Sequence, residues 1–188
     1  MTTLFVNACV RGEASRTLAL CRDYLSASKG EVEEVNLAAL HLKPFDADMV
    51  RDRGAKAAAA AWDDPMFALA RQFASADEIV VGAPFWDLSF PSVLKVYIEH
   101  ICVGGLTFHY TEDSRCEGLC HARRLTYITT CGGSVGNNLG YDYVRGIAGM
   151  LGIPETRFVA AENLDMVGVD VEAQLAQARE RVRELAEQ

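Results

Sequence analysis

The stretch that most constrains this chain is Glu78 to Ile101, EIVVGAPFWDLSFPSVLKVYIEHI. Ile79 to Ala83 are continuously apolar or small, the pattern of a strand covered on both faces inside a parallel sheet. Pro84 removes an amide donor and ends the ladder, and Pro91 suits the first turn of a new helix. From there Val93, Val96, Tyr97 and Ile101 recur at helical spacing, with Lys95, Glu99 and His100 on other faces. Between the prolines lie Phe85, Trp86, Asp87, Leu88, Ser89 and Phe90. A loop at the carboxyl end of a central strand is where α/β sheets bind ligands.

The rest of the chain alternates in the same way. Thr3 to Val6 reads as a first strand, and Leu18 to Ala27 as a helix with Leu18, Cys21 and Leu25 on one face. Ser15 is placed to cap that helix. The loop from Cys9 to Thr17 carries Gly, Arg, Ser and Thr ahead of the helix, where free amides, hydroxyls and the helix dipole favour an anion. Glu31 to Leu37 is a second strand. Leu40 to Arg53, with Pro44, is expected to be irregular and closed by Gly54. The alanine-rich Lys56 to Trp62 is expected to be helical, and Asp64-Pro65 to start a further helix ending near Ala74. Val103 to Tyr110 reads as an extended arm after a glycine turn, and Thr111 to His121 as a polar loop. Leu125 to Thr130 is a fourth strand, Tyr141 to Leu151 a helix stopped by Gly152, and Arg157 to Ala161 a fifth strand. Val171 to Ala186 closes the chain as a helix that turns Leu175, Ala178, Val182 and Leu185 inward. Arg123-Arg124 reads as a solvated approach to the fourth strand. Five strands alternating with helices predict an α/β fold, a doubly wound parallel sheet with helices on both faces.

Composition narrows the class. At 188 residues, half of them hydrophobic, the chain is expected to form one domain spanning 1–188 with a full core. A formal charge of −8, from 26 acidic against 18 basic residues, argues against general nucleic-acid binding. No apolar run reaches the roughly 20 residues of a membrane span, and the N-terminus passes directly into a strand, so a soluble cytoplasmic protein is expected. The six cysteines are scattered and expected to be reduced. Cys116 and Cys120-His121 match neither a zinc nor a haem spacing, and no metal is expected. The fingerprints G-x-G-x-x-G and G-x-x-x-x-G-K-[ST] are both absent, which disfavours a Rossmann dinucleotide site and a nucleoside triphosphatase.

In a sheet of order 2-1-3-4-5, the loops after strands one, three and four meet at the switch point. The first offers phosphate ligands, the second aromatic and backbone groups, and the third a diglycine that a flat ligand can approach. Ser15-Arg16-Thr17, Ala83-Pro84-Phe85-Trp86-Asp87-Leu88 with Pro91-Ser92 and Leu94-Lys95, Gly105-Leu106-Thr107-Phe108-His109-Tyr110-Thr111-Glu112, Glu117-Gly118-Leu119 and Thr129-Thr130-Cys131-Gly132-Gly133 stand in order along residues 3 to 161. With these motifs the chain resembles the flavodoxin-like NAD(P)H:quinone oxidoreductases, and most closely the FMN-dependent NADH azoreductases. The resemblance implies a flavodoxin-like fold with FMN as cofactor and NADH or NADPH as donor. It also implies two-electron, ping-pong hydride transfer to a quinone, azo or nitro-type small molecule. By it, Cys9, Ser15, Arg16 and Thr17 would surround the FMN phosphate. Pro84, Phe85, Trp86, Asp87 and Leu88 would hold the ring and ribityl chain, and Thr130, Cys131, Gly132 and Gly133 would border the ring. Phe108 and Tyr110 would line the substrate side, near the interface of an expected homodimer. Asp87, Tyr110 and Tyr141 are the groups that could supply or guide protons.

The chain departs from that family where Tyr-Asn usually precedes the helix and Trp86-Asp87 stands here, and where Arg or Thr often occupies the position of Cys131. A carboxylate beside reduced flavin would oppose its charge. On the residues alone, Phe85 and Trp86 also fit plain core, Asp87 a turn, and Cys131 either an inert buried thiol or a redox-sensitive one. Two other readings therefore stand beside the oxidoreductase: a flavodoxin-type FMN electron carrier without NAD(P)H turnover, and a flavin-free binding or sensing protein on the same fold.

Overall fold

Alternation along the buried strands decides the layers. In a computed structural model describing residues 1–188, β1 (Thr2–Asn7) leads through a short 3₁₀ turn at Gly12–Ala14 into α1 (Arg16–Ala27). Then come β2 (Glu31–Asn36), α2 (Leu37–Leu40), α3 (Ala47–Ala58), α4 (Ala68–Ser75), β3 (Glu78–Gly82) and α5 (Ser92–Ile101). The short strands β4 (Phe108–Tyr110) and β5 (Cys116–Gly118) precede β6 (Arg124–Thr130), α6 (Leu139–Met150), β7 (Glu155–Ala161) and α7 (Val171–Ala186). β2-β1-β3-β6-β7 form one parallel sheet, which is the expected order 2-1-3-4-5 counted over its five strands. Leu4, Val6, Ile79, Val81, Leu125 and Tyr127 face a core shared with α4, α5 and α6. Their neighbours Phe5, Val80, Ile128 and Val159 face α1 and α7, where Leu175, Ala178 and Val182 are buried and Leu185 lies against them partly covered. Side chains of period two thus feed two cores from one sheet.

Three local readings are corrected. Between β2 and β3 a helix lies in the stretch expected to be irregular, because Asp46 accepts from the Met49 amide at 2.9 Å and starts α3, which runs through Gly54 without a break. The alanine run mostly lies beyond that helix. Ala60 takes φ 49°, with Ala61 N–H donating to the Lys56 carbonyl and Ala60 N–H to that of Ala57, so the helix stops in a Schellman motif with alanine in the usual glycine position. The polar stretch Thr111 to His121 contains β5, which pairs antiparallel with the arm as Phe108↔Gly118, His109↔Glu117 and Tyr110↔Cys116. A Cβ on Gly118 would lie 1.9 Å from the Leu151 carbonyl carbon, so the bare glycine is what seats this hairpin against the end of α6.

Arg124 is also not solvated. It is 5% exposed and its Nη2 donates at 2.8 Å to Glu78, itself 3% exposed and its register partner on β3; Arg123 reaches the same carboxylate from the surface. This ion cluster sits at the amino ends of the strands, opposite the switch point.

Candidate functional site

At the carboxyl ends of the strands the connecting loops keep the sheet's hydrogen bonds beyond its last residues. Ala83 N–H donates to Ile128, Phe85 N–H to Thr130, Cys131 N–H to Ala161 and Leu164 N–H to Cys131. With Ala8 N–H donating to Gly82, the loops after β1, β3, β6 and β7 are held side by side, and between them opens a cleft of about 190 Å³. Its lining combines Arg11, Ser15 and Arg16 at one end with Pro84, Phe85, Trp86, Cys131 and Gly132, and Asp165 at the rim.

The first wall is the start of α1. Ser15 is its cap, with Oγ accepting from the Leu18 amide at 3.2 Å, so the amides of Arg16 and Thr17 in the first turn have no intrahelical acceptor. Arg11, Arg16 and this helix N-terminus are groups that could hold an anion. Thr17 stands behind this wall. It is buried, and its hydroxyl shares a hydrogen bond of 2.7 Å with Thr130, tying α1 to the end of β6. Cys9 is behind it too: buried, with Sγ directed at the Gly82 carbonyl and burial pushing its thiol up to about 11. Neither side chain lines the cleft.

The second wall is the loop between the prolines. Trp86 and Ser89 exchange two backbone hydrogen bonds, 3.1 and 2.7 Å, around Asp87 (φ 51°) and Leu88 (φ 63°). This is the mirror-image turn of tight hairpins, normally the preserve of Asn and Gly. The Leu88 carbonyl accepts from the Leu139 amide at 3.0 Å, and Gly140 lets α6 approach so closely that a Cβ there would stand 3.0 Å from the Phe90 ring. Phe85 is half-buried and Trp86 exposed at the cleft, so these rings are not core; Asp87 and Leu88 form the exposed tip beside it.

The third wall is the diglycine. Cys131 is buried, and burial raises its thiol above the ordinary range while Sγ donates to the Gly133 carbonyl. Above Gly132 a Cβ would come within 2.4 Å of Asp165 Oδ2, whereas above Gly133 the space is open. The loop after β7 supplies the fourth wall, bonding Asn163 N–H to Gly133 and Asp165 N–H to Gly132. Leu164 and Asp165 join the site without having been expected there, and Arg11, expected only as part of the first loop, lines it as well.

Other expected residues lie elsewhere. Tyr141 stacks on Phe158, with centroids 4.6 Å apart, and its hydroxyl donates to Thr156 at 3.4 Å, near the amino end of β7 and away from the cleft. Phe108 and Tyr110 sit edge to face on the hairpin at the far end of α6, with Tyr110 69% exposed. One chain does not bring this arm to its own cleft.

The donor set fits a flavin mononucleotide: guanidiniums and free helix amides suited to a phosphate, and aromatic and glycine-bordered walls suited to a flat ring. The fold and this site define a class, the flavodoxin-like proteins, and a family profile described as a flavodoxin-like fold matches residues 1–186. Over 187 residues, covering 95% of this chain and 94% of the relative, the sequence is 33% identical to an FMN-dependent NADH:quinone oxidoreductase of Lachnoclostridium phytofermentans. A Clostridium acetobutylicum protein named FMN-dependent NADH:quinone oxidoreductase 2 is 42% identical over 132 residues, covering 67% of this chain and 66% of that one. The solved structure of an FMN-dependent NADH-azoreductase from Bacillus anthracis in complex with FMN superposes with a TM-score of 0.84 at 25% identity, over 98% of this chain and 97% of that one. The chain belongs to the flavodoxin-like family and, within it, to the FMN-dependent NADH:quinone oxidoreductases.

Proposed function

We propose that the protein is an enzyme that binds FMN in the cleft at the switch point and carries two electrons from NADH or NADPH to a quinone, azo or nitro-type acceptor. The observation that carries this reading is the lining of the cleft, which brings Arg11, Arg16 and the first turn of α1 together with Phe85, Trp86 and Gly132 at the carboxyl ends of the strands. Bound there, FMN would supply the redox chemistry, taking a hydride from the nicotinamide and releasing the pair to the acceptor in ping-pong order. The chain's own task is to hold and orient. Ser15 and the two guanidiniums fix the phosphate, the ordered Pro84 to Leu88 loop fixes the ring edge, and Gly133 leaves room for close approach. Cys9 and Thr17 support this wall from behind, and Thr130 locks it to β6. Of the proton-guiding candidates, Asp87 stands on the cleft's own loop, whereas the Tyr141 hydroxyl is committed to Thr156.

A homodimer completes the reading. The exposed Tyr110 of the arm and the exposed Trp86 and Leu88 at the cleft mouth are surfaces that a second copy would cover, placing the Phe108 to Tyr110 arm on the substrate side of its partner. All six cysteines are free thiols, in keeping with a reducing cytoplasmic setting. The test is the visible spectrum of protein mixed with FMN, followed anaerobically by NADH and then by a quinone. Bleaching by NADH and recovery with quinone is the expected result. FMN bound but left oxidised by NADH would mean an electron carrier, and no uptake of FMN would mean a flavin-free protein. A monomer by sedimentation would remove the shared site.

A further inference from the structure

The cleft contains one carboxylate, and it is paired with a cation of the phosphate subsite. Asp165 Oδ1 lies 3.0 Å from Arg16 Nη1, and the Leu164 carbonyl is 3.5 Å from the same nitrogen. Arg16 begins α1 on one wall; Asp165 stands on the loop after β7 on another, so the ion pair bridges the cleft. The carboxylate is held there by construction. Its own amide donates to Gly132 at 3.0 Å, those of Leu164 and Asn163 donate to Cys131 and Gly133, and its side chain occupies the space that Gly132 leaves bare. Arg11, the other guanidinium of the cleft, takes part in no ion pair.

We propose that Asp165 is an internal anion that competes with the cofactor phosphate for Arg16, and thereby sets how strongly the cleft prefers phosphorylated over unphosphorylated flavin. The proposal rests on the flavin reading of the site. Docking of a phosphate at α1 draws the Arg16 guanidinium from Asp165 and leaves a carboxylate facing a dianion; both effects weaken binding of the phosphorylated ligand alone. The pair is exposed, 45% at Arg16 and 71% at Asp165, so its effect is that of a surface ion pair. Expressed as affinity, this amounts to about a 1.5- to 5-fold change. The Asp165 carboxylate makes no other hydrogen bond, so removing its charge leaves the backbone anchors of its loop in place.

The experiment titrates FMN and riboflavin by flavin fluorescence into wild type, Asp165→Asn, Asp165→Ser, Arg16→Gln and the Arg16→Gln, Asp165→Asn double variant, with denaturation midpoints as a folding control. Asp165→Asn is expected to tighten FMN about 1.5- to 5-fold while leaving riboflavin unchanged. Asp165→Ser should do the same, and in the Arg16→Gln background the gain should shrink to the part that carboxylate–phosphate repulsion alone supplies. An unchanged FMN to riboflavin ratio with wild type binding FMN overturns this proposal alone. A ratio that falls overturns it in favour of Asp165 holding Arg16 in its binding pose. Wild type that takes up neither flavin removes both this proposal and the reading beneath it.

Discussion

Glu78→Gln places a neutral side chain where a buried carboxylate now serves two guanidiniums. Glu78 is 3% and Arg124 5% exposed, they are register partners on β3 and β6, and the Arg124 Nε already lacks a partner. Removing one charge strands the other in the interior, which costs about 3–5 kcal/mol. Arg123, with a side chain 61% exposed, adds no more than about 1 kcal/mol. For a chain of this size each kcal/mol lowers the melting temperature by about 2–4 °C, so the variant should melt about 6–20 °C below wild type. Urea unfolding measures the loss directly, with Arg123→Ala as the control expected within about 1 kcal/mol of wild type. The paired replacement Glu78→Met, Arg124→Leu removes both charges and should recover the stability or exceed it by about 1–4 kcal/mol. A Glu78→Gln variant that loses less than about 1 kcal/mol refutes the argument, since the guanidinium would then have found another solvent for its charge. FMN affinity per folded molecule should not move, because the cluster lies at the opposite end of the sheet from the cleft.

Other outcomes follow from the same geometry. Thr17→Val or Thr130→Val leaves the partner hydroxyl buried without its mate and should cost about 1–3 kcal/mol by denaturant unfolding, whereas the double valine variant should be milder than the sum. Gly118→Ala drives a methyl into the Leu151 backbone and should destabilise by about 1–3 kcal/mol, with faster amide exchange confined to the β4-β5 hairpin and the end of α6. Burial raises Cys9 and Cys102 to about 11 from an ordinary 9.0, so on raising the pH the unfolded chain releases these protons first. Their contribution to stability is complete below about 9 and lost as the pH climbs through about 11. The urea midpoint should therefore decline between these limits, and less steeply in a Cys9→Ala, Cys102→Ala variant.

How legible the fold was depended on whether the decisive interaction was local. Ile79 to Ala83 announces a central strand because continuous burial requires continuous apolarity, and Val171 to Ala186 announces its helix because one face of it packs on the sheet. The α3 helix is illegible to periodicity because none of its residues is buried; the one signal was Asp46 ahead of it as a cap, masked by Pro44 and Gly54. The alanine run misled because helix propensity says nothing about a stop made by Ala60 in the left-handed region, a conformation alanine does not favour. At the site, Ser15 and Arg16 were readable because they sit where a loop opens a helix, and Pro84 to Trp86 and the diglycine because they sit where a strand meets a loop. Asp165 and Leu164 were not: they reach the cleft through backbone bonds to Cys131 and Gly132, which side-chain identity does not encode. Arg11 was visible in the first loop but had no spacing to separate it from a solvated arginine.

The turn at Asp87 and Leu88 shows why this cleft is already shaped before any ligand arrives. An L-residue in the left-handed region costs roughly 1–2 kcal/mol, and Leu88 has neither the bare backbone of glycine nor the local hydrogen bond that an Asx side chain offers at that conformation. Such a turn persists only where its surroundings over-determine it. Here they do: the Trp86 and Ser89 bonds close it, the Leu139 amide fixes its carbonyl, and Gly140 admits α6 against Ser89 and Phe90. The free energy spent on the turn is recovered in the packing of α6, which joins it to the core at Val144 and Ala148. The loop that would hold a flavin edge is thus rigid because a helix needed elsewhere in the fold depends on its shape. A cofactor held there as proposed would meet little cost of ordering that wall, and the charges of Arg11, Arg16 and Asp165 would then weigh more in its affinity.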